Sequence, residues 1–534
     1  MLTRRLHIVL AAVAAAALVG GCTTTTSDSD ETTSATASAG AQPSQELSPP
    51  QVPGVPLPEN AVDTAVAKLD GIAEELMRDS GIPGMAVAVV HGAEVVYAKG
   101  FGVREVGNDD PVDADTVFQL ASVSKSLAAT VVAHQVGTGS VSWDTPVVSK
   151  LSTFALKDPY VTQNVTVGDL FAHRSGLPDH AGDKLEDLGY DRAQVLEKLR
   201  YEPLDPFRIS YAYTNFGLTA AAEAVATAAG VEWAQLSDDV LYEPLGMTTA
   251  SSRYSDYQAR SDRAVGHTLV NGSYMAQAQR DPDAQSPAGG ASGSVNDMAK
   301  WLTMVLGDGE YHGEQIAPED ALLPAWTPQI VSSPPHSPDA RPGSYGYGFN
   351  VGTTPAGRQS ISHSGAFALG AATNFVVIPS ADVAIVALTN AAPIGLPETL
   401  TAEFSDLVQF GEVREDWRNL YKQAFASMDQ PVGDLTGKTA PTNPAPAQPL
   451  TTYTGTYTND YWGPATITER DGTLVLALGP GGQTFDLRHW DGNTFVFELS
   501  SENAPPGTVS QAEFDGNSLT LEYFDDDGLG RFTR

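Results

Sequence analysis

Ser122 and Lys125 stand three positions apart in the stretch Phe118-Gln-Leu-Ala-Ser-Val-Ser-Lys-Ser-Leu-Ala-Ala-Thr130, just ahead of an apolar run over residues 127–132. The pattern predicts a helix that begins at or just before the serine, which puts both side chains on one face, one turn apart. A serine hydroxyl is a weak nucleophile until a neighbouring base takes its proton, and a lysine amine serves once burial lowers its pKa. A serine at a helix start also has backbone N–H groups beside any oxyanion formed there. An ordinary capped helix with a chance Ser-x-x-Lys explains the same residues, although the chain contains no second copy.

Two further triplets carry side chains suited to this chemistry. In Tyr213-Thr-Asn215 a phenol can relay a proton between serine and leaving group, and an amide can hydrogen-bond a substrate. In His363-Ser364-Gly365-Ala366 a glycine at a strand end lets a substrate approach the backbone, and the N–H of Ala366 offers a second oxyanion donor. Each triplet is weak alone, because Tyr457-Thr-Asn459 and His180-Ala-Gly182 repeat them elsewhere. Nothing resembles a His-Glu-x-x-His metal motif, and Cys22, the single cysteine, leaves no cysteine pair for a metal or a disulfide. Neither metal nor cofactor is expected. Ala288-Gly-Gly-Ala-Ser-Gly-Ser294 lacks the lysine of a phosphate loop and has Ser294 where a Gly-x-Ser-x-Gly elbow needs glycine.

These residues need elements to hold them. Residues 61–77 carry a helical apolar stripe. Residues 84–91 and 94–99 read as a hairpin turning at His91-Gly92. Residues 165–172, 218–229 and 295–306 read as helices, and 347–351, 359–363, 371–378 and 383–388 as strands. After a Pro- and Thr-rich linker at 431–449, strand-like runs separated by Asp471-Gly472, Asp491-Gly492, Asp515-Gly516 and Asp527-Gly528 predict a small antiparallel β-barrel over residues 450–534.

A chain of 534 residues is long enough for several domains, and a formal charge of −35 argues against nucleic acid and anionic membrane surfaces as partners. Residues 1–22 read as an export signal: Arg4 and Arg5, an apolar stretch over 8–19, then Leu18-Val-Gly-Gly-Cys22, which looks like a bacterial lipobox with Cys22 as the lipidated residue. The expected location is the outer face of the cytoplasmic membrane, held by lipid alone, with export through either the Sec or the twin-arginine route. Residues 23–60 are Ser-, Thr- and Pro-rich and read as a disordered tether.

In their order and approximate spacing, Ser122-x-x-Lys125, Tyr213-x-Asn215 and His363-x-Gly365 resemble the serine β-lactamase and penicillin-binding-protein superfamily, in its class C-like branch. Leu170-Phe-Ala-His-Arg-Ser-Gly-Leu-Pro178, Tyr242-Glu-Pro-Leu-Gly-Met247 and Pro287-Ala-Gly-Gly290 add to the resemblance, which covers residues 61–428. It implies an α/β (α+β) fold, with an antiparallel sheet flanked by helices and an all-helical subdomain over residues 61–430. The barrel looks like the lipocalin-like module appended to some such hydrolases.

The implied chemistry is an acyl-enzyme on Ser122, with Lys125 as base and Tyr213 as proton relay. Asn215, His363, Ser364, Gly365 and Ala366 would bind substrate and oxyanion. The implied substrate is a small peptide, ester or lactam, including cell-wall peptide, handled by a D,D-carboxypeptidase-, D-peptidase- or esterase-like enzyme. The alternatives are a β-lactamase proper and a catalytically weak peptidoglycan sensor. His363 departs from the lysine of classical members and offers a carboxylate less charge; Arg358 is a candidate replacement. On this reading His180 and the Tyr457 triplet are decoys.

Overall fold

The computed structural model describes residues 52–276 and 279–534. The signal, Cys22 and most of the tether therefore lie outside the described residues. The catalytic unit is built on an antiparallel sheet of eight strands: β1 (Gly84–His91), β2 (Glu94–Gly102), β3 (Ile330–Ser333), β4 (Gly343–Tyr345), β5 (Asn350–Thr353), β6 (Gln359–Phe367), β7 (Ala371–Ile378) and β8 (Val383–Thr389). Their spatial order is β2-β1-β8-β7-β6-β5-β4-β3. The central strands β1 and β8 are covered on both faces, so they read as continuous apolar runs rather than alternating ones. Gly92 and Ala93, both at positive φ, make the β1–β2 turn.

One face of the sheet packs on α1 (Ala61–Val66), α2 (Leu69–Ser80) and, from the far end of the domain, α7 (Leu396–Phe410); Val62, Leu69, Leu400 and Phe404 form that layer. The single helix expected over 61–77 is divided, because at Ala67–Lys68 the chain tightens to an i−3 bond from Lys68 N–H to Ala65 O. The other face carries α3 (Ser124–Gly137) and α6 (Val295–Leu306). Between them in sequence lies a helical subdomain that includes α4 (Asp183–Asp187) and α5 (Asn215–Ala229).

The C-terminal module is one antiparallel meander of eight strands: β9 (Gly455–Tyr457), β10 (Ala465–Arg470), β11 (Thr473–Leu478), β12 (Gln483–Asp491), β13 (Thr494–Leu499), β14 (Thr508–Asp515), β15 (Ser518–Leu521) and β16 (Arg531–Thr533). A bridge between Thr458 and Thr533, with N–H···O distances of 2.7 and 3.0 Å, joins the two ends into a nearly closed barrel. The 431–449 segment is not a free spacer: Val432 N–H donates to Thr508 Oγ1, Val509 N–H to Val432 O, and Ala445 N–H to Asp491.

This module is docked on the helical subdomain, not strung from it. Lys184 Nζ donates to Tyr523 O, Tyr190 OH to Trp462 O, and Gln483 Nε2 to Asp187 O. Gly479, at φ +70, lies so close that a Cβ there would sit 2.2 Å from Leu188 O. The β13–β14 loop enters deepest: the Glu502 carboxylate accepts from Ala368 N–H at 2.8 Å and Leu369 N–H at 3.2 Å, at the tip of the β6–β7 hairpin.

Glu202 is buried in this interface beside Tyr461, and burial pushes its carboxyl up to about 7, against an ordinary 4.5. A raised folded-state value means that its contribution is fully present below about pH 4.5 and is lost as pH rises through 7. Thermal melts of wild type and Glu202→Gln across pH 4.5–8 are expected to show wild type losing stability toward neutrality, with a flatter profile for the variant.

Candidate active site

The turn that carries Ser122 is a single 3₁₀ turn, Ala121–Val123, feeding α3. Ala121 is held at φ +46, a left-handed backbone costly for alanine, and Leu120 N–H is tied to Ala291 O. Ser122 is half-buried while Lys125 beneath it is fully enclosed. Lys125 Nζ lies 3.0 Å from Ser122 Oγ, 2.6 Å from Asn215 Oδ1 and 2.8 Å from Ala288 O. It also stands 4.6 Å from the centre of the Tyr213 ring. Burial lowers the amine to about 7, partly opposed by the charge of Asp183. As a neutral amine it donates to the two carbonyl oxygens and keeps a lone pair for the serine proton.

Tyr213 hydrogen-bonds Ser122, and burial raises its phenol far above the usual range, so it stays protonated at neutral pH. A protonated phenol cannot take the serine proton, whereas the Lys125 amine can. The loop that presents Tyr213 hangs on His173: Thr214 N–H donates to His173 Nδ1, Ala212 N–H to His173 O, and the two rings pack at 4.5 Å. Asn215 opens α5, and both ends of its amide are engaged inside the protein, Oδ1 with Lys125 and Nδ2 with Asp183 Oδ2 at 2.7 Å. It therefore orients the lysine.

The third motif meets Ser122 through its glycine. A Cβ on Gly365 would lie 2.3 Å from Leu120 O, 2.3 Å from Thr373 Oγ1 and 3.0 Å from Ser122 N. Pairing of β6 with β5 ends at Ser362, so residues 363–367, Ala366 included, form an edge that is unpaired on that side.

The neighbours of Gly365 depart from expectation. His363 is 1% exposed; its Nδ1–H donates to Ser364 O and its Nε2 accepts from Tyr345 OH. Burial and the nearby Lys125 take its pKa down to about 3, so it is a neutral wall behind Tyr213 and offers no charge to a substrate carboxylate. Ser364 points to the opposite sheet face, where its hydroxyl accepts from Asn374 Nδ2 at 2.9 Å and pairs with Glu398. It braces β6 against β7 and α7 instead of orienting substrate. Arg358 is buried at the far end of β6, seven residues or about 20 Å before Gly365, and supplies nothing here.

Three participants escaped the sequence reading. Ala288 contributes only a carbonyl, which no side-chain pattern announces. Asp183 joins through a hydrogen bond to Asn215, and its spacing from His180 was the one available signal. His180, set aside as a decoy, belongs to the site by another route: its Nδ1 donates to Asp183 Oδ2 at 2.7 Å and its ring lies 5.7 Å from Tyr213. The Tyr457 triplet lies in β9 and the turn after it, inside the barrel fold. Among the described residues no three His, Cys, Asp or Glu side chains gather as a metal ion would require.

The β-lactamase family model matches residues 69–408, and a domain of unknown function, DUF3471, matches residues 439–524. The chain belongs to the β-lactamase family, within the serine β-lactamase and penicillin-binding-protein superfamily, and its relatives mark it as a serine hydrolase. It is 29% identical over 407 residues to an unguisins hydrolase of Aspergillus campestris, covering 72% of this chain and 73% of that one. It is 24% identical over 349 residues to the D-alanyl-D-alanine-carboxypeptidase/endopeptidase AmpH of Escherichia coli K12, covering 64% and 88%. The fold is shared with an octameric penicillin-binding protein homologue from Pyrococcus abyssi, with a TM-score of 0.58 at 20% identity, over 88% of this chain and all of the other.

Replacing Gly365 by alanine is expected to push β6 off the nucleophile turn and lower kcat/KM by at least about 100-fold, the cost of an ångström-scale misplacement. Steady-state kinetics beside a circular dichroism spectrum check this; an intact spectrum with near-normal rates would refute the close approach.

Proposed function

We propose that the protein is a D-peptidase-, D,D-carboxypeptidase- or esterase-like hydrolase that works through an acyl-enzyme on Ser122. The observation that carries this is the enclosed Lys125 amine, 3.0 Å from Ser122 Oγ and lowered to about 7. Ser122 Oγ attacks an amide or ester carbonyl as Lys125 takes its proton. The oxyanion forms beside Ser122 N–H, with the free β6 edge at Ala366 as the second donor. The Tyr213 hydroxyl gives its proton to the leaving group and is reprotonated with the proton that Lys125 took, while the acyl–oxygen bond to Ser122 forms and the bond to the leaving group breaks. Water then adds to the acyl carbon as Lys125 takes its proton, and that proton returns to Ser122 Oγ as the acid leaves.

The neutral, buried His363 favours the esterase-like side of this reading over a β-lactamase proper, because the third motif brings no cation to pair with the carboxylate that a lactam, like a D,D-carboxypeptidase substrate, carries. Arg280, another buried cation, is already paired with Glu186.

The test is a fluorescent penicillin, read by intact mass on protein lacking residues 1–60, beside hydrolysis of 4-nitrophenyl acetate. Expected are a Ser122-dependent adduct that persists for minutes, and ester turnover absent from Ser122→Ala. Because Lys125 must be neutral, kcat/KM is expected to fall about tenfold per pH unit below about 7, and Lys125→Gln to lose at least about 100-fold. Rapid penicillin turnover would establish the lactamase instead, and silence in both assays the sensor.

Residues 1–22 support an exported lipoprotein anchored through Cys22. Cys22→Ser is expected to leave the membrane fraction on cell fractionation.

A further inference from the structure

Asp183 is the first residue of α4, and its carboxylate is buried directly behind the reacting groups. Oδ2 accepts from Asn215 Nδ2 and from His180 Nδ1, each at 2.7 Å. The arrangement has a consequence for Lys125. A carboxylate has no proton to give, so Asn215 must turn its NH2 toward Asp183 and its carbonyl oxygen toward Lys125. With Ala288 O accepting the second N–H of the neutral amine, the lone pair is left facing Ser122 Oγ. A flipped Asn215 amide would set donors against donors and turn the lone pair away from the serine.

The same short helix bears the C-terminal module. Asp187 Oδ2 accepts from Ser501 Oγ at 2.7 Å, Asn503 N–H at 3.1 Å and Asn503 Nδ2 at 3.0 Å. Asn503 Nδ2 also reaches Asp183 O at 3.4 Å. Gly182, at φ +94 and against Val195 and Phe216, fixes where α4 begins.

We propose that Asp183 is a positioning residue for the Ser122–Lys125 pair, setting the Asn215 amide and hence the direction of the lysine lone pair, and that the 501–503 loop of the C-terminal module holds it in place. The proposal rests on the Ser122–Lys125 reading above.

The titratable groups around Lys125 are Asp183, Tyr213, His173, His180 and His363, with Asp179 behind His180 and Tyr213. Burial keeps His173 and His363 neutral and Tyr213 protonated, whereas Asp183 and Asp179 outweigh burial and hold the charged form of His180. His180 is therefore removed from the comparison by working in a His180→Gln background. Asp183→Asn in that background keeps an acceptor for Asn215 but removes the charge that favours protonated Lys125. The acid limb of kcat/KM on 4-nitrophenyl acetate is expected to move about one pH unit lower, the size of shift a nearby charge produces. Asp183→Ala, which also removes the acceptor, is expected to lower the plateau kcat a further tenfold or more at similar KM.

A merely structural aspartate would lower the amount of active enzyme without moving the limb, and an unmoved limb overturns the proposal. Active-site titration with the fluorescent penicillin corrects for misfolded protein. Loss of the adduct in Ser122→Ala confirms the underlying reading independently; an adduct retained there would sink that reading first. Ser501→Ala/Asn503→Ala is expected to lower kcat several-fold at constant KM, and an unchanged kcat removes the C-terminal module from the proposal.

Discussion

The structure turns on one enclosed amine. A lysine cation buried without a counter-ion in contact would cost several kcal/mol, so Lys125 is held near the point where it becomes neutral, and a neutral amine is what a serine nucleophile needs. That state depends on three separate pieces of chain arriving together: the start of α3, the Tyr213 loop that hangs on His173 and runs into the start of α5, and the Ala288 carbonyl in the glycine-rich turn. Lose any one and the amine either gains water, and with it a higher pKa, or loses an acceptor.

Close backbone approach is the second constraint, and it recurs at two scales. Gly365 brings the free edge of β6 to Ser122 N with no room for a side chain. Gly463 and Gly479 do the same between domains, against Tyr190 OH and Leu188 O, so the barrel meets the helical subdomain over a tight polar seam. Its position makes the C-terminal module part of the scaffold around the cleft: Glu502 closes the tip of the β6–β7 hairpin, and Ser501 and Asn503 seize α4. The linker read at 431–449 is itself packed against the barrel.

The third motif shows how a shared pattern can carry a changed role. Strand alternation sends His363 and Ser364 to opposite faces of β6. Histidine, with Tyr345 on one nitrogen and its neighbour's carbonyl on the other, becomes a neutral prop for Tyr213. The third motif therefore presents no side-chain cation to an anionic substrate.

Local pattern was enough for much of this protein. Periodicity located α6 and β7 with the observed ends, Asp-Gly pairs located the barrel hairpins, and the order of three motifs singled out Ser122, Lys125, Tyr213 and Gly365, which the fold brings together. These signals are legible because they arise from interactions within a few residues: a strand's alternation, a turn's left-handed glycine, a helix turn that sets Ser122 beside Lys125. What only the tertiary structure decided is which groups face one another across long separations in the chain. Asn215 turns inward to Lys125, 90 positions away, Ala288 lends a carbonyl from 163 positions away, and Asp183 and His180 enter the site through hydrogen bonds that no spacing encodes. Burial, which sets the proton affinities of Lys125 and His363, is a property of the whole packed core and exists only once the chain has closed around them.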